Sequence, residues 1–166
     1  MQLYIVRHGE AEFDTKPDSA RQLNLNGQQE CESTGQWIAK QCSDFDIALV
    51  SPFVRAQQTW NVLQKQGVSA KKTEVLPELT PDSDPENSAC LIKAYSQGLE
   101  KVIVISHLPL VCFLVDEFVA ETCPLFATGS TALIDINESQ IKGSLLTMVS
   151  PSELSTRLVD QARHFG

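Results

Sequence analysis

Positive charge is scarce in this 166-residue chain: 13 Lys and Arg stand against 21 Asp and Glu, a formal net charge of −8. A nucleic-acid binder needs a basic face to displace counterions, so this balance argues against that class. Long apolar runs are also lacking. The longest, near Leu108 to Val119, is broken by Asp116 and Glu117, and nothing in the sequence is expected to span a membrane. No basic segment followed by an apolar core and a small-residue cleavage site opens the chain, so no secretory leader is expected. The five cysteines, Cys31, Cys42, Cys90, Cys112 and Cys123, are odd in number and include no Cys-x-x-Cys pair. Reduced thiols and a cytoplasmic location fit that usage.

Several phosphate chemistries are missing as well. No cysteine is followed by arginine six positions later, so the Cys-x5-Arg phosphatase loop is absent, as is any Gly-rich loop ending in Lys-Ser or Lys-Thr. Asp44-Phe45-Asp46 resembles an aspartate-nucleophile motif but precedes its strand, which puts it at the wrong sheet edge. No carboxylate or histidine spacing suggests a metal cage, and no metal or cofactor is expected. There is no repeat, low-complexity tract or linker, and 166 residues with 42% hydrophobic content suit one domain over 1–166.

What is present begins at Arg7-His8-Gly9-Glu10, directly after the apolar run Leu3-Tyr4-Ile5-Val6. Strand alternation alone would point Arg7 and His8 apart. A glycine with positive φ at Gly9 would let the chain turn sharply and bring both side chains to one anion-binding pocket. Two later segments repeat the arrangement. Ile47 to Val50 leads into Ser51-Pro52-Phe53-Val54-Arg55, and Val102 to Ile105 leads into Ser106-His107-Leu108-Pro109. Near-continuous Val- and Ile-rich runs suit strands covered on both faces, so the fold class is α/β: a mostly parallel central sheet with helices on both sides. Ligands gather outside the carboxyl ends of such strands, where these runs release Arg7, His8, Arg55 and His107.

Between the strands, a helix is expected from Leu25 to Cys42 with Asn24 as its cap and Cys31, Trp37 and Ile38 among its buried residues. A second runs from Pro52 to Lys65 with Ser51 as cap, a third from Glu86 to Leu99, and a fourth opens at Pro109. Thr73 to Leu76, Ala132 to Ile136 and Leu145 to Val149 read as further strands, the last two joined through a turn near Asn137 to Gly143. Ser150-Pro151-Ser152-Glu153 reads as a capping box that starts a terminal helix.

Arg7-His8-Gly9, then Ser51 followed by Arg55 and Thr59, then Ser106-His107 resemble the signature of the histidine phosphatase superfamily, in its order. Val75 to Pro81 and Val104 to Val111 add detail that resembles the short SixA-type phosphohistidine phosphatases. The resemblance covers nearly the whole chain and is weakest from Glu121 onward. It implies a phosphoglycerate mutase-like three-layer sandwich and a covalent phosphohistidine intermediate on His8.

The residues suit that chemistry. A phosphoryl group in transfer spreads negative charge over its oxygens, so its catalyst needs positioning and fixed positive donors. Arg7 and Arg55 offer planar forks that stay charged, His8 an imidazole nitrogen as nucleophile, and His107 a further donor. His8 must then be unprotonated at the attacking nitrogen, with the other donating to a backbone carbonyl near Gly9. The neighbouring arginines are expected to lower its pKa. Ser51, Gly9 and Arg21 are candidate substrate-binding residues. Glu78 is the candidate general acid, although an imidazole leaving group takes its proton from solvent readily enough to make one dispensable.

The stretch from Pro77 to Asn87 has no room for the lid that larger relatives insert there, so no cap domain is expected. An open pocket favours a phosphorylated histidine-containing phosphotransfer domain or phosphocarrier protein as substrate. A small-molecule phosphomonoesterase of the same superfamily is the nearer alternative. A noncatalytic phosphoprotein-binding module is the more distant one.

Overall fold

The computed structural model describes residues 1–13, 17–119, 125–137 and 142–156. Cys123 and the middle of the 137–143 turn lie outside them. Among the described residues six strands, β1 (Gln2–Arg7), β2 (Asp44–Val50), β3 (Ser69–Val75), β4 (Lys101–Ser106), β5 (Thr131–Asp135) and β6 (Ser144–Val149), form one sheet in the order β3-β2-β4-β1-β5-β6. The first four in that order are mutually parallel, and β5 and β6 are added antiparallel beyond β1.

Helices α1 (Leu25–Gln41), α2 (Val54–Lys65), α3 (Pro85–Tyr95) and α4 (Leu110–Phe118) cover the sheet. The strands' alternation divides the core in two. Tyr4, Val6, Ala48, Val50, Ile103 and Ile105 meet Ile38 of α1 and Trp60 and Leu63 of α2. Leu3, Ile5, Ile47, Leu49, Val102 and Val104 face the other way, against Ile92 of α3 and Leu110 and Leu114 of α4. Both faces are dry, which is why the central strands carry apolar runs instead of a polar alternation. No helix among the described residues is long and apolar enough to cross a membrane.

Local signals fix the starts of α1 and α3. The Asn24 side chain accepts from the Gly27 amide at 2.8 Å, Asp84 accepts from Asn87 at 2.8 Å, and Pro85 takes the first position of α3. The 150–153 capping box forms: Glu153 accepts from the Ser150 amide at 2.8 Å, and the chain is helical over 151–156. Three expectations are corrected. The strand expected at Thr73–Leu76 is β3, which starts at Ser69 and lies at the sheet edge, where exposed Lys71, Lys72 and Thr73 hide its pattern. The third helix begins at Pro85 and stops at Tyr95, before Gly98, whose φ is 75°. Helix α2 starts at Val54 with Phe53 at its cap, so Ser51 is not the cap and Pro52 is not its first residue.

Register brings the expected residues together. β4 lies between β1 and β2, with Arg7 paired to Ser106 and Val50 to Ile105. Beyond those pairs the His8 amide donates to the Ser106 carbonyl and the Ser51 amide to the Ile105 carbonyl, both at 3.0 Å. His8, Ser51 and His107 therefore leave three adjacent strand ends side by side.

Candidate active site

His8 is 8% exposed and its ring is held at both nitrogens. Nδ1 lies 2.7 Å from the Gly9 carbonyl, which can only accept, so this nitrogen carries the proton. Nε2 is then a bare lone pair, and it accepts from Arg55 Nε at 3.1 Å. Burial first, and then the charges of Arg55, Arg7 and Arg21, push the His8 pKa down to about 3 against the opposing pull of the Gly9 hydrogen bond. The arginines contribute as expected, but desolvation is the larger cause.

The turn after His8 does not use positive φ at Gly9; that conformation belongs to Gly67, Gly98 and Gly129. Gly9 is required for space. A Cβ there would sit 2.4 Å from the Gly27 carbonyl oxygen and 2.7 Å from Cys31 Sγ, because the start of α1 presses against the loop. Gly27 is pressed equally hard, since its Cβ would stand 2.0 Å from the Glu10 carbonyl oxygen. The Gly9 amide donates to Thr59 Oγ1 at 3.2 Å, and that hydroxyl donates to the Arg55 carbonyl at 2.8 Å. Thr59 thus ties α2 to the His8 turn. Gly9 holds the nucleophile from behind and does not line the cleft.

Arg55 projects from the first turn of α2 and is only 4% exposed. Besides His8, it donates through NH1 to the Asp18 carbonyl at 2.6 Å and through NH2 to Asp18 Oδ2 at 3.0 Å. Asp18 belongs to a short 3-10 turn, Asp18–Ala20, and its Oδ1 accepts from Arg21 NH1 at 2.9 Å. Arg21 also donates through Nε to the Glu12 carbonyl at 2.7 Å and lies over the Phe13 ring. Arg7 donates through NH1 to the Phe126 carbonyl at 2.7 Å, while its buried Nε has no partner among the described residues. Arg7, His8, Arg21 and Arg55 line one cleft of about 420 Å³, with Asp18, Phe13, Pro81, Leu108 and Thr128 among the other walls.

His107 is 1% exposed, its ring centroid 4.9 Å from that of His8. Burial, then the charge His8 takes on below its own pKa and that of Arg55, lower its pKa to about 2. Nε2 lies 2.6 Å from Ser51 Oγ, and Nδ1 is buried without a partner among the described residues. Hydrogen-bond accounting selects one tautomer. With the Ser51 hydroxyl donating to Nε2, its oxygen still accepts from the Phe53 amide at 3.4 Å and only Nδ1–H is unsatisfied. The reverse arrangement would strand both a hydroxyl hydrogen and a lone pair.

Ser51 is fully buried and touches His107 instead of lining the cleft. Glu78 lies in the 3-10 turn Pro77–Leu79; its backbone carbonyl accepts from Ser88 Oγ, and Pro81 is the residue of this loop that reaches the cleft. Asp44, Phe45 and Asp46 are the first three residues of β2 and do not precede it, which corrects that expectation; Asp46 still stands at the end of β2 away from the cleft, accepting from the Glu100 and Lys101 amides at 3.0 Å. Sequence reasoning missed Asp18, Thr59 as a tie, and Gly129. The last has φ 69° and donates its amide to the His8 carbonyl at 3.0 Å. A glycine before Ser130-Thr131 was the signal available for it.

Comparison with known proteins agrees with this geometry. Residues 3–82 match the model of the histidine phosphatase superfamily, branch 1. Phosphohistidine phosphatase SixA of Escherichia coli is 39% identical over 156 residues, 93% of this chain and 96% of that protein. The SixA homolog of Haemophilus influenzae is 33% identical over 162 residues, 91% of this chain and 97% of its own length. A solved structure of the protein histidine phosphatase SixA with tungstate superposes with a TM-score of 0.87 at 39% identity, covering 93% of this chain and 99% of that one. A SixA-like protein from Agrobacterium tumefaciens, 22% identical, shares the fold with a TM-score of 0.77 over 90% of this chain and 97% of its own. Matched in sequence along nearly its whole length and in fold, the chain belongs to the histidine phosphatase superfamily, in its SixA-type group.

Proposed function

We propose that this chain is a protein phosphohistidine phosphatase that works through a phosphorylated His8. The observation that carries the reading is the state of that ring. Its proton stays on Nδ1, donated to the Gly9 carbonyl; its other nitrogen, Nε2, is unprotonated with its lone pair turned to Arg55 Nε; and the cleft beside it contains three arginines. A buried neutral imidazole among cations suits a nucleophile for a phosphoryl group better than a proton donor.

In the first step His8 Nε2 attacks phosphorus and the bond from phosphorus to the substrate's imidazole nitrogen breaks; the departing ring takes a proton from water. In the second, water attacks the phosphorus, the bond to Nε2 breaks and inorganic phosphate leaves. Nδ1 keeps its proton throughout. Arg7 and Arg55 stabilise the charge on the transferring group, and Arg7 Nε, in the cleft wall, is a buried atom whose missing partner a phosphate oxygen can supply; the Nδ1–H of His107, which packs beside His8 without lining the cleft, is left to an oxygen of the group carried on His8. Ser51 acts through His107, by keeping the proton on Nδ1. Glu78 stands outside the cleft, which favours solvent as proton source for an imidazole leaving group.

The substrate we favour is a histidine-containing phosphotransfer domain or phosphocarrier protein. From the end of β3 to the start of α3 the chain runs only from Val75 to Pro85, through the 3-10 turn Pro77–Leu79, which leaves little length there for a cap and supports an open cleft. A protein-borne phosphohistidine needs such access and a sugar phosphate does not. The SixA relative solved with tungstate, a tetrahedral oxyanion, supports an oxyanion site in this group.

The test compares phosphate release from a phosphorylated phosphotransfer domain and from small phosphomonoesters, with parent and His8→Ala proteins. Release from the protein substrate that disappears in His8→Ala is the expected result. Release only from small esters favours the phosphomonoesterase reading. Binding of the phosphoprotein without release favours the noncatalytic module.

A further inference from the structure

Asp18 occupies the position that an anionic ligand of Arg55 and Arg21 would take. Its Oδ2 is 3.0 Å from Arg55 NH2 and its Oδ1 2.9 Å from Arg21 NH1, so one carboxylate bridges both guanidinium groups. Its backbone carbonyl accepts separately from Arg55 NH1 at 2.6 Å. The two contacts have different consequences. The carbonyl aims Arg55 without adding net charge, whereas the carboxylate neutralises Arg55, which the proposed mechanism reserves for phosphate, together with Arg21 beside it.

We infer that the Asp18 carboxylate is an internal competitor for the phosphoryl group, bridging Arg55 and Arg21 in the free protein and released when a phosphorylated ligand enters. This rests on the phosphate-pocket reading given above. A nearly buried Arg55 guanidinium is costly to leave unpaired, and Asp18 supplies its counter-ion. Release is feasible because none of the three residues of the Asp18–Ala20 turn is buried, and the Asp18 side chain is 53% exposed. Ligand binding is therefore an exchange of one anion for another. Free phosphate, whose contacts are confined to the pocket, meets the competition without help. A phosphoprotein adds contacts outside it that offset the same cost, so the exchange keeps inorganic phosphate weakly bound while the tethered substrate still binds.

Calorimetric titration with inorganic phosphate at pH 7.5 and low ionic strength tests this on the full chain as wild type, Asp18→Asn, Asp18→Ala and Arg55→Ala. Removing one negative charge a few ångströms from the ligand is expected to tighten phosphate binding about tenfold in both Asp18 variants. Arg55→Ala is expected to weaken it by at least as much. Phosphate affinity that is unchanged or weaker without the carboxylate, while Arg55→Ala still weakens binding, overturns the competitor and makes Asp18 a positioning residue. Equal affinity in wild type and Arg55→Ala contradicts the pocket itself. In the wild type, the Asp18 carboxyl carbon resonance should move toward that of a solvated carboxylate on saturation with phosphate. A resonance that stays fixed at saturation also overturns the exchange, whether or not the variants fold.

Discussion

Acid should unfold this protein through two histidines before its carboxylates titrate. His8 is held down to about 3 and His107 to about 2, both first by burial and then by neighbouring positive charge. In the unfolded chain both return to about 6.5. Above that value neither state carries the extra proton and stability is at its full level. Below it only the unfolded chain binds the protons, so stability falls with falling pH until the folded values near 3 and 2 are reached. Each histidine removes about 1.4 kcal/mol per pH unit in that window. At pH 5, about 1.5 units below the unfolded value, the pair together removes about 4 kcal/mol, a large share of the 5–15 kcal/mol typical of a domain.

The carboxylates of Asp18, Asp44 and Asp46, whose pKa values are lowered by hydrogen bonds, lose their contributions only at lower pH and do not mask the effect. Urea denaturation at pH 7.5, 6.5, 5.5 and 5.0 in phosphate-free buffer measures it, since phosphate bound to the native state would add its own stabilisation. A stability constant within about 1 kcal/mol across that range would refute the reasoning. So would ring resonances showing either histidine titrating near its ordinary value in the folded protein.

Other consequences follow from the same contacts. Because folded His8 stays neutral well below pH 6, kcat/KM should show no inflection near 6.5 assignable to the nucleophile; a loss of activity with that midpoint, in protein that remains folded, contradicts the assignment. Gly27→Ala puts a Cβ 2.0 Å from the Glu10 carbonyl oxygen, and we expect about 1–3 kcal/mol of destabilisation together with reduced turnover as the His8 loop shifts, read by urea denaturation and phosphate release. Ser51→Ala should lower kcat/KM about tenfold in a folded protein, with nitrogen-15 spectra showing the His107 proton shared with Nε2. A proton that stays on Nδ1 would leave Ser51 without the positioning role.

The sheet and the arrival of His8, Ser51 and His107 at one edge were legible because they depend on apolar periodicity and on strands ending before Arg, Ser and His. Those signals are local. Less legible was why Gly9 is glycine: the reason is the approach of Gly27 and Cys31 from a helix 18 or more residues away, which no local rule reports. Ser51 read as a helix cap because Ser-Pro has that signature, yet its hydroxyl is engaged by His107, 56 positions on. Asp18 was silent for a similar reason. A single aspartate in a polar loop carries no pattern, and only its contacts with Arg55 and Arg21 give it a role.

The account stands most directly on where the phosphoryl group goes. Rapid acid-free quenching of the protein with a phosphorus-32-labelled phosphotransfer domain, followed by alkaline peptide mapping, should find base-stable, acid-labile label on the peptide containing His8 at early times and none after turnover is complete. Label that passes to water without ever appearing on that peptide, or that appears there equally in Arg55→Ala, would contradict it.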